Sequence, residues 1–328
     1  MEVNILILSV GTRNKIVQYF KKELAGSGVV IATDASNLAP ALYEADKHFI
    51  VPKITDPNYI DYILDICEKE NITGVLSLID PELNLLAENY ERFKEIGTTP
   101  IISDIDLIKL SFDKYKFSEF VTQLGFKSVK SYKDLNAFNN AYNSGEIEFP
   151  VFVKPITGSA SININKVDSS EQLEDLFVRY DDLLIQEIMD EKEYGVDVYI
   201  DMVSNEPVSI FIKEKLAMRA GETDKSISVK SEKLFDIIIN FVKKIGYRGI
   251  IDIDVFEKNG EFYISEVNPR FGGGYPHAYE AGINVPSQII NNLNRIENEK
   301  NFDYEQDLFM MKFNEVSIRK NVNNRGVN

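Results

Sequence analysis

Carboxylates set inside apolar strands are the first chemical signal in this chain. The run Ile250-Ile251-Asp252-Ile253-Asp254-Val255-Phe256 passes through Lys258-Asn259-Gly260 into Phe262-Tyr263-Ile264-Ser265-Glu266-Val267-Asn268. Acids among apolar neighbours are costly unless they are paired or hold a cation. Register decides whether they can cooperate. A two-residue Asn259-Gly260 loop pairs 258 with 261 and puts Asp254 and Glu266 on opposite faces. A three-residue loop with Gly260 left-handed pairs 257 with 261 and puts Asp254, Glu266 and Asn268 on one face, with Glu266 diagonal to Asp254 at about 7–8 Å. We expect the second register, from a three-residue loop or a bulge at Lys258–Gly260. With Asp252 it makes a four-oxygen cluster suited to one or two hard cations. Acids on a solvated strand face are the alternative.

Two lysines add a chemistry of anions. Phe149-Pro150-Val151-Phe152-Val153-Lys154-Pro155 ends an apolar strand on an ammonium, beside the small-residue run Thr157-Gly158-Ser159-Ala160-Ser161. Backbone N–H groups of such a loop can cradle phosphates. The run has one glycine and lacks the order of a P-loop, and taken alone Lys154 reads as a snorkelling lysine. Lys114 falls in the first turn of a helix opened by Asp113, where a cation opposes the helix dipole by about 0.3–1 kcal/mol. A bound anion reverses that sign; a surface lysine also tolerates it.

Residues 1–110 alternate strand and helix: Val3–Val10, Lys15–Leu24, Val29–Thr33, a helix Thr55–Glu70 with Pro57 in its first turn, Gly74–Ile79, a helix Pro81–Lys94 and a short strand Pro100–Ser103. This order predicts a parallel sheet covered by helices. Gly11 and Asp34 imitate part of a dinucleotide fingerprint, but Gly11-Thr12-Arg13-Asn14 has one glycine where three are needed. From Ser111 onward the pattern turns to blocks: a helix Asp113–Leu124, strands Phe149–Lys154 and Ser161–Val167, a helix Gln172–Tyr180, strands Leu183–Glu187, Tyr194–Met202 and Pro207–Lys215, a helix Ser231–Ile245 and the hairpin Gly249–Val267. That predicts α+β. The tail Asn321–Asn328 is polar and expected to fray.

Composition narrows the partners. Lys+Arg total 36 against 52 Asp+Glu, a formal charge of −16, which argues against a broad nucleic-acid surface. There is one Cys, and only two His, His48 and His277, so Cys-built metal sites and disulfides within the chain are excluded. Cys67 falls at a core position of a helical run. The start shows no secretory signal and no apolar run nears the ~20 residues of a membrane span; we expect a cytoplasmic protein.

Taken with Gln186-Glu187, Glu193 and Asn268-Pro269-Arg270, these pieces resemble the ATP-grasp superfamily, in its carbamoyl-phosphate-synthase-like branch. The order matches: Asp-Lys, Val-Lys-Pro before the small-residue loop, Gln-Glu at the hinge, an acidic strand, then Glu-x-Asn-x-Arg. The resemblance covers about residues 111–290, and residues 1–110 look like the domain that precedes an ATP-grasp unit. It implies a Rossmann-like parallel-sheet domain over 1–110, then a two-lobed α+β ATP-grasp fold with a small lobe over 111–187 and a large lobe over 188–328.

By the same resemblance, Lys114 and Lys154 would hold the α- and β-phosphates of ATP, and Gly158, Ser159 and Ser161 would form the flap over them. Gln186, Glu187 and the Ile188 backbone would meet adenine, and Glu193 the ribose. Asp254, Glu266 and Asn268 would hold one or two Mg²⁺ ions, with Mn²⁺ as a substitute. Arg270 and Lys154 would serve catalysis, joined by Arg219 on a substrate-side loop, Arg219-Ala220-Gly221-Glu222-Thr223. The flap lacks its usual second glycine, and there is a single ATP-grasp unit.

The implied reaction is ATP-dependent ligation of a carboxylate to an amine through an acyl phosphate, with small-molecule substrates and a homodimer as the assembly relatives suggest. A phosphotransferase and a non-catalytic nucleotide-binding protein are the rivals. His277 reads as a base or as a structural or binding residue. Asp80 and Glu82 read as contacts to an amine or as caps of the following helix.

Overall fold

Four buried residues, Ile5–Leu8, form β1 at the centre of a parallel sheet. Such a strand is buried on both faces, hence its unbroken apolar run. The computed structural model describes residues 2–158, 165–320 and 322. Ser159, Ser161, the first part of the expected strand Ser161–Val167 and nearly all of the tail Asn321–Asn328 lie outside them.

The sheet adds β2 (Val30–Asp34), β3 (Lys47–Ile50), β4 (Gly74–Ser77) and β5 (Thr99–Pro100) in the order β3-β2-β1-β4-β5. Helices α1 (Asn14–Leu24), α2 (Tyr59–Lys69), α3 (Asp80–Glu88) and α4 (Tyr90–Glu95) connect them. Two expectations change here. The Thr55–Glu70 helix starts at Tyr59, because the Asp56 carboxylate accepts from Asn58 N at 2.8 Å and makes a turn around Pro57. The single helix Pro81–Lys94 divides at Asn89, whose φ of −111° is not helical. Asp34 accepts from Gly11 N at 2.9 Å: the pair that imitated a dinucleotide fingerprint closes the turn between β1 and α1.

Helix α5 (Ile105–Phe112), absent from the sequence reading, leads into α6 (Lys114–Gln123), which Asp113 caps by accepting from Lys116 N at 3.0 Å. A four-stranded sheet follows, with β6 (Ser131–Tyr132), β7 (Val151–Pro155), β8 (Asn165–Val167) and β9 (Leu183–Glu187) in the order β6-β9-β7-β8. Helices α7 (Leu135–Asn143) and α8 (Ser170–Arg179) are part of this region.

The third sheet joins β10 (Lys192–Ile200), β11 (Pro207–Arg219), β12 (Glu222–Ser228), β13 (Gly249–Lys258), β14 (Glu261–Asn268) and β15 (Phe309–Met311) in the order β14-β13-β10-β11-β12-β15, all antiparallel. Helix α9 (Glu232–Ile245) covers one face through Leu234, Ile238, Phe241 and Val242, packed with Val196, Val198, Ile253 and Val255. The other face carries polar residues around Asp197, Lys213 and Asp254, and Tyr199 and Phe211 beside them are buried in a second core. Helices α10 (Tyr275–Glu280) and α11 (Val285–Leu293) share a core with the first sheet and α1, where Tyr19 stacks on Tyr279 at 3.7 Å.

Candidate active site

The β13–β14 hairpin corrects the expected loop and keeps its consequence. Lys258 pairs with Glu261 across a two-residue turn. Asn259 and Gly260 have φ of +53° and +70°, the left-handed pair that a tight hairpin needs. The register instead shifts between Asp254 and Val255: Val255 faces Ile264, but Asp254 faces Glu266 and Asp252 faces Asn268. Ser265 is the extra residue of a bulge, which turns the following side chains over. Asp254 and Glu266 are therefore direct cross-strand partners on one face, closer than the diagonal expected.

Pairing carries the same face onward. Gly195 lies between Asp254 and Lys213, and Asp197 between Asp252 and Phe211. Glu193, Asp197, Lys213, Lys215, Asp252, Asp254, Glu266 and Asn268 thus line one polar surface. Lys215 Nζ bridges Glu193 at 2.7 Å and Asp254 at 2.6 Å. Burial works against its charge, but Asp254 and Glu193 outweigh that and hold the ammonium above its ordinary value. Burial, together with Asp252, Glu193 and Glu266, raises Asp254 against the pull of Lys215. Lys213, only 1% exposed, pairs with Asp197.

Lysine signals were present in the sequence. Lys213 and Lys215 sit two apart in a strand, hence on one face, yet only the pairing with β10 aims them at the acids.

Lys154, next to last in β7, lies near this surface. Burial pulls its ammonium below the ordinary value while Glu266, Asp254 and Glu193 push it up and Lys114 pulls it down. Lys114 donates to the carbonyl of Gly158, so the two lysines and the described edge of the small-residue loop come together. Gln186 is buried and donates to Ser131 Oγ at 3.0 Å. Glu187 is ion-paired with Lys258 at 2.6 Å, and Ile188 follows it out of β9. The Glu193 carboxylate is turned to Lys215 rather than left open. Arg219 is not brought to the acidic hairpin: the expected substrate-side loop is the tight turn between β11 and β12, and its guanidinium meets Asp224 at 2.8 Å.

Arg270 follows β14 and is held by Asp80 of the first domain, Nε to Oδ1 at 2.8 Å and Nη2 to Oδ2 at 2.9 Å, with Asn268 Oδ1 at 3.2 Å. Asp80 thus neither stays free for an amine nor caps α3 through its side chain. Glu82 is buried and accepts from Ser9 at 3.0 Å and from Tyr59 and Ser77. His277 is structural: Nδ1 lies 2.8 Å from Ser226 Oγ and Nε2 2.9 Å from the Leu308 carbonyl. The carbonyl accepts only, so Nε2 carries the proton. Cys67 is buried and its thiol is pushed up to about 12 by burial.

Among the described residues no group of three or more His, Cys, Asp or Glu side chains is drawn together as a metal cage. The candidate set is two carboxylates and an amide. Oxygen donors directly opposed across a hairpin, with Asp252 and Glu193 beside them, fit a hard divalent ion such as Mg²⁺.

The PylC-like N-terminal domain family matches residues 5–101, and the ATP-grasp domain family matches residues 112–274. Residues 112–274 are an ATP-grasp domain. The chain is 23% identical over 261 residues to the carbamoyl phosphate synthase arginine-specific large chain of Bacillus subtilis (strain 168), covering 76% of this chain and 25% of that one. A carbamoyl-phosphate synthase of Methanobrevibacter smithii is 24% identical over 300 residues, 87% of this chain and 79% of that one. The chain spans about a quarter of the length of the first of these relatives.

Among solved structures, the biotin carboxylase domain dimer of Hydrogenobacter thermophilus 2-oxoglutarate carboxylase, in complex with MgADP, ADP and bicarbonate, matches with a TM-score of 0.74 at 17% identity over 93% of this chain and 73% of that one. Staphylococcus aureus N5-carboxyaminoimidazole synthetase complexed with ADP matches with a TM-score of 0.74 at 17% identity, over 95% and 82%. These likenesses establish the ATP-grasp fold and the parallel-sheet domain before it.

Proposed function

We propose that this protein is an ATP- and Mg²⁺-dependent ligase that joins a carboxylate to an amine through an acyl phosphate. The observation that carries the reading is the bulge-set register, which puts Asp254 against Glu266 and Asp252 against Asn268 on the face that also holds Lys215, with Lys154 of the neighbouring sheet close to the same acids. In this reading Lys114 and Lys154 bind phosphates, with Gly158, Ser159 and Ser161 over them. Gln186, Glu187 and the Ile188 backbone border the base, and Glu193 reaches the ribose once Lys215 turns to the γ-phosphate. Asp254, Glu266 and Asn268 would hold the ion, which would supply neutralisation of phosphate charge. Arg270, fixed by Asp80, stabilises the oxyanion that forms.

Such chemistry needs positioning and charge neutralisation more than a protein nucleophile, and the site is built of cations and hard oxygen donors. The three regions 1–110, 111–187 and 188–328 are assigned to the preceding domain, the phosphate-binding lobe and the metal-binding lobe. We place the reaction in the cytoplasm and in a homodimer, the assembly named for the biotin carboxylase neighbour.

The carboxylate oxygen attacks the γ-phosphorus, ADP leaves, and the amine then displaces phosphate. A screen of carboxylate–amine pairs with Mg²⁺ should therefore yield ADP and phosphate. With an ¹⁸O-labelled carboxylate, one label should pass to the phosphate. Pyrophosphate, or unlabelled phosphate, overturns the acyl-phosphate route.

A further inference from the structure

Arg13 lies just beyond β1 and Asp80 just beyond β4, neighbouring strands of the parallel sheet. The crest where strand order reverses is where open parallel sheets bind ligands, and here it faces Arg270 through Asp80. On that crest Arg13 Nη2 meets Glu222 Oε1 at 2.7 Å, and Lys312 Nζ meets the other oxygen, Oε2, at 2.8 Å. We propose that Arg13 and Lys312 form the binding site for a substrate carboxylate, and that Glu222 occupies this site in the substrate-free protein. The inference rests on the ligase reading for what the ligand is, and on the ion pairs for where it binds.

Three observations support it. The Glu222 carboxylate belongs to the side chain that closes the β11–β12 turn, after Ala220 and Gly221 at φ of +51° and +76°, and the pairing of those strands shifts register twice. It therefore sits on an irregular hairpin, with its side chain 40% exposed against 21% for Arg13. The guanidinium is the desolvated partner: burial pulls it down and Glu222 holds it up. A partly desolvated cation favours an anion but not this particular one.

The floor is also shaped for a carboxylate. A Cβ on Gly273 would lie 2.9 Å from the Glu222 carboxylate carbon, so Gly273 leaves room for that group against bare backbone. Arg270 adds a third positive field on the same group. A planar fork at Arg13 matches a carboxylate with two parallel hydrogen bonds.

Acetate is the probe, with chloride at equal ionic strength as the control, on the full chain without nucleotide. Glu222→Gln should lose thermal stability at low salt, and about 100 mM acetate should raise its Tm by roughly 2–4 °C over chloride. Wild type should respond less than half as much, because acetate must displace Glu222. Adding Arg13→Met should abolish the response. If that double variant does not fold, Arg13→Lys in its place keeps the charge without the fork and should need about tenfold more acetate. An acetate response absent from Glu222→Gln, or unchanged when Arg13 is replaced, makes the pair a simple staple between domains and overturns the proposal. Acetate binding that survives while no carboxylate drives ADP release would remove the ligase chemistry and leave this site standing.

Discussion

Lys154 shows how a single side chain moves from an ambiguous strand-end lysine to a candidate phosphate ligand. Its ammonium is buried against Glu266, Asp254 and Glu193, and burial lowers its proton affinity. The folded protein therefore carries a desolvated cation whose charge is of little use to folding. Lys154→Met keeps the stem and drops the charge, so stability should hold or rise. Contacts of about 1.5–3 kcal/mol to phosphate should be lost, which calorimetry would read as roughly ten- to hundredfold weaker ATP binding. Unchanged affinity would return Lys154 to the snorkelling class.

At the scale of elements, the candidate site depends on two small irregularities. One is the Ser265 bulge, without which the two-residue turn would send Glu266 to the face that α9 covers. The other is Gly195 in β10, between Lys213 and Asp254. A Cβ there would meet Lys213 Cε at 3.0 Å and Lys215 Cε at 3.2 Å, so the missing side chain is what lets both lysine stems cross the sheet. In Gly195→Ala each stem must give by a few tenths of an ångström. The fold tolerates that; the placement of Lys215 between Glu193 and Asp254 does not. We expect turnover about tenfold lower with a Tm within about 3 °C of wild type, measured by ADP release and a melting curve. Wild-type turnover would show that Lys215 needs no such alignment.

Across the whole molecule, the first domain is joined to the last helices through a common core and through Arg270–Asp80 and Arg13–Glu222. His277 belongs to this joint, packed edge-on to Phe211 at 5.0 Å and bonded to Ser226 and the Leu308 carbonyl. Burial and the nearby Lys213 push its pKa down to about 4. The folded state keeps the ring neutral while the unfolded state takes up a proton below about pH 6.5. Stability from His277 is thus complete above pH 6.5 and lost as pH falls toward 4, by about 1.4 kcal/mol per unit. The urea midpoint of wild type should therefore be lower at pH 5 than at pH 7.5, and the drop should be smaller for His277→Gln. Parallel drops in both proteins would clear His277 of that role.

Local patterns in the chain already determined the βα alternation, the later blocks of strands, the Asp113 cap and the residues of the acidic hairpin, because strand and helix periods and capping groups act over a few neighbours. The strand Leu183–Glu187 was legible to the residue. The register of β13 against β14 was not: Asn259-Gly260 made the turn its type demands, and packing against α9 placed the correction at Ser265. Nor did any local signal join Arg13 to Glu222, or Asp80 to Arg270. Those pairs link residues far apart in sequence, and only a folded core can hold such charges together in partial shelter from water, where their attraction is strong.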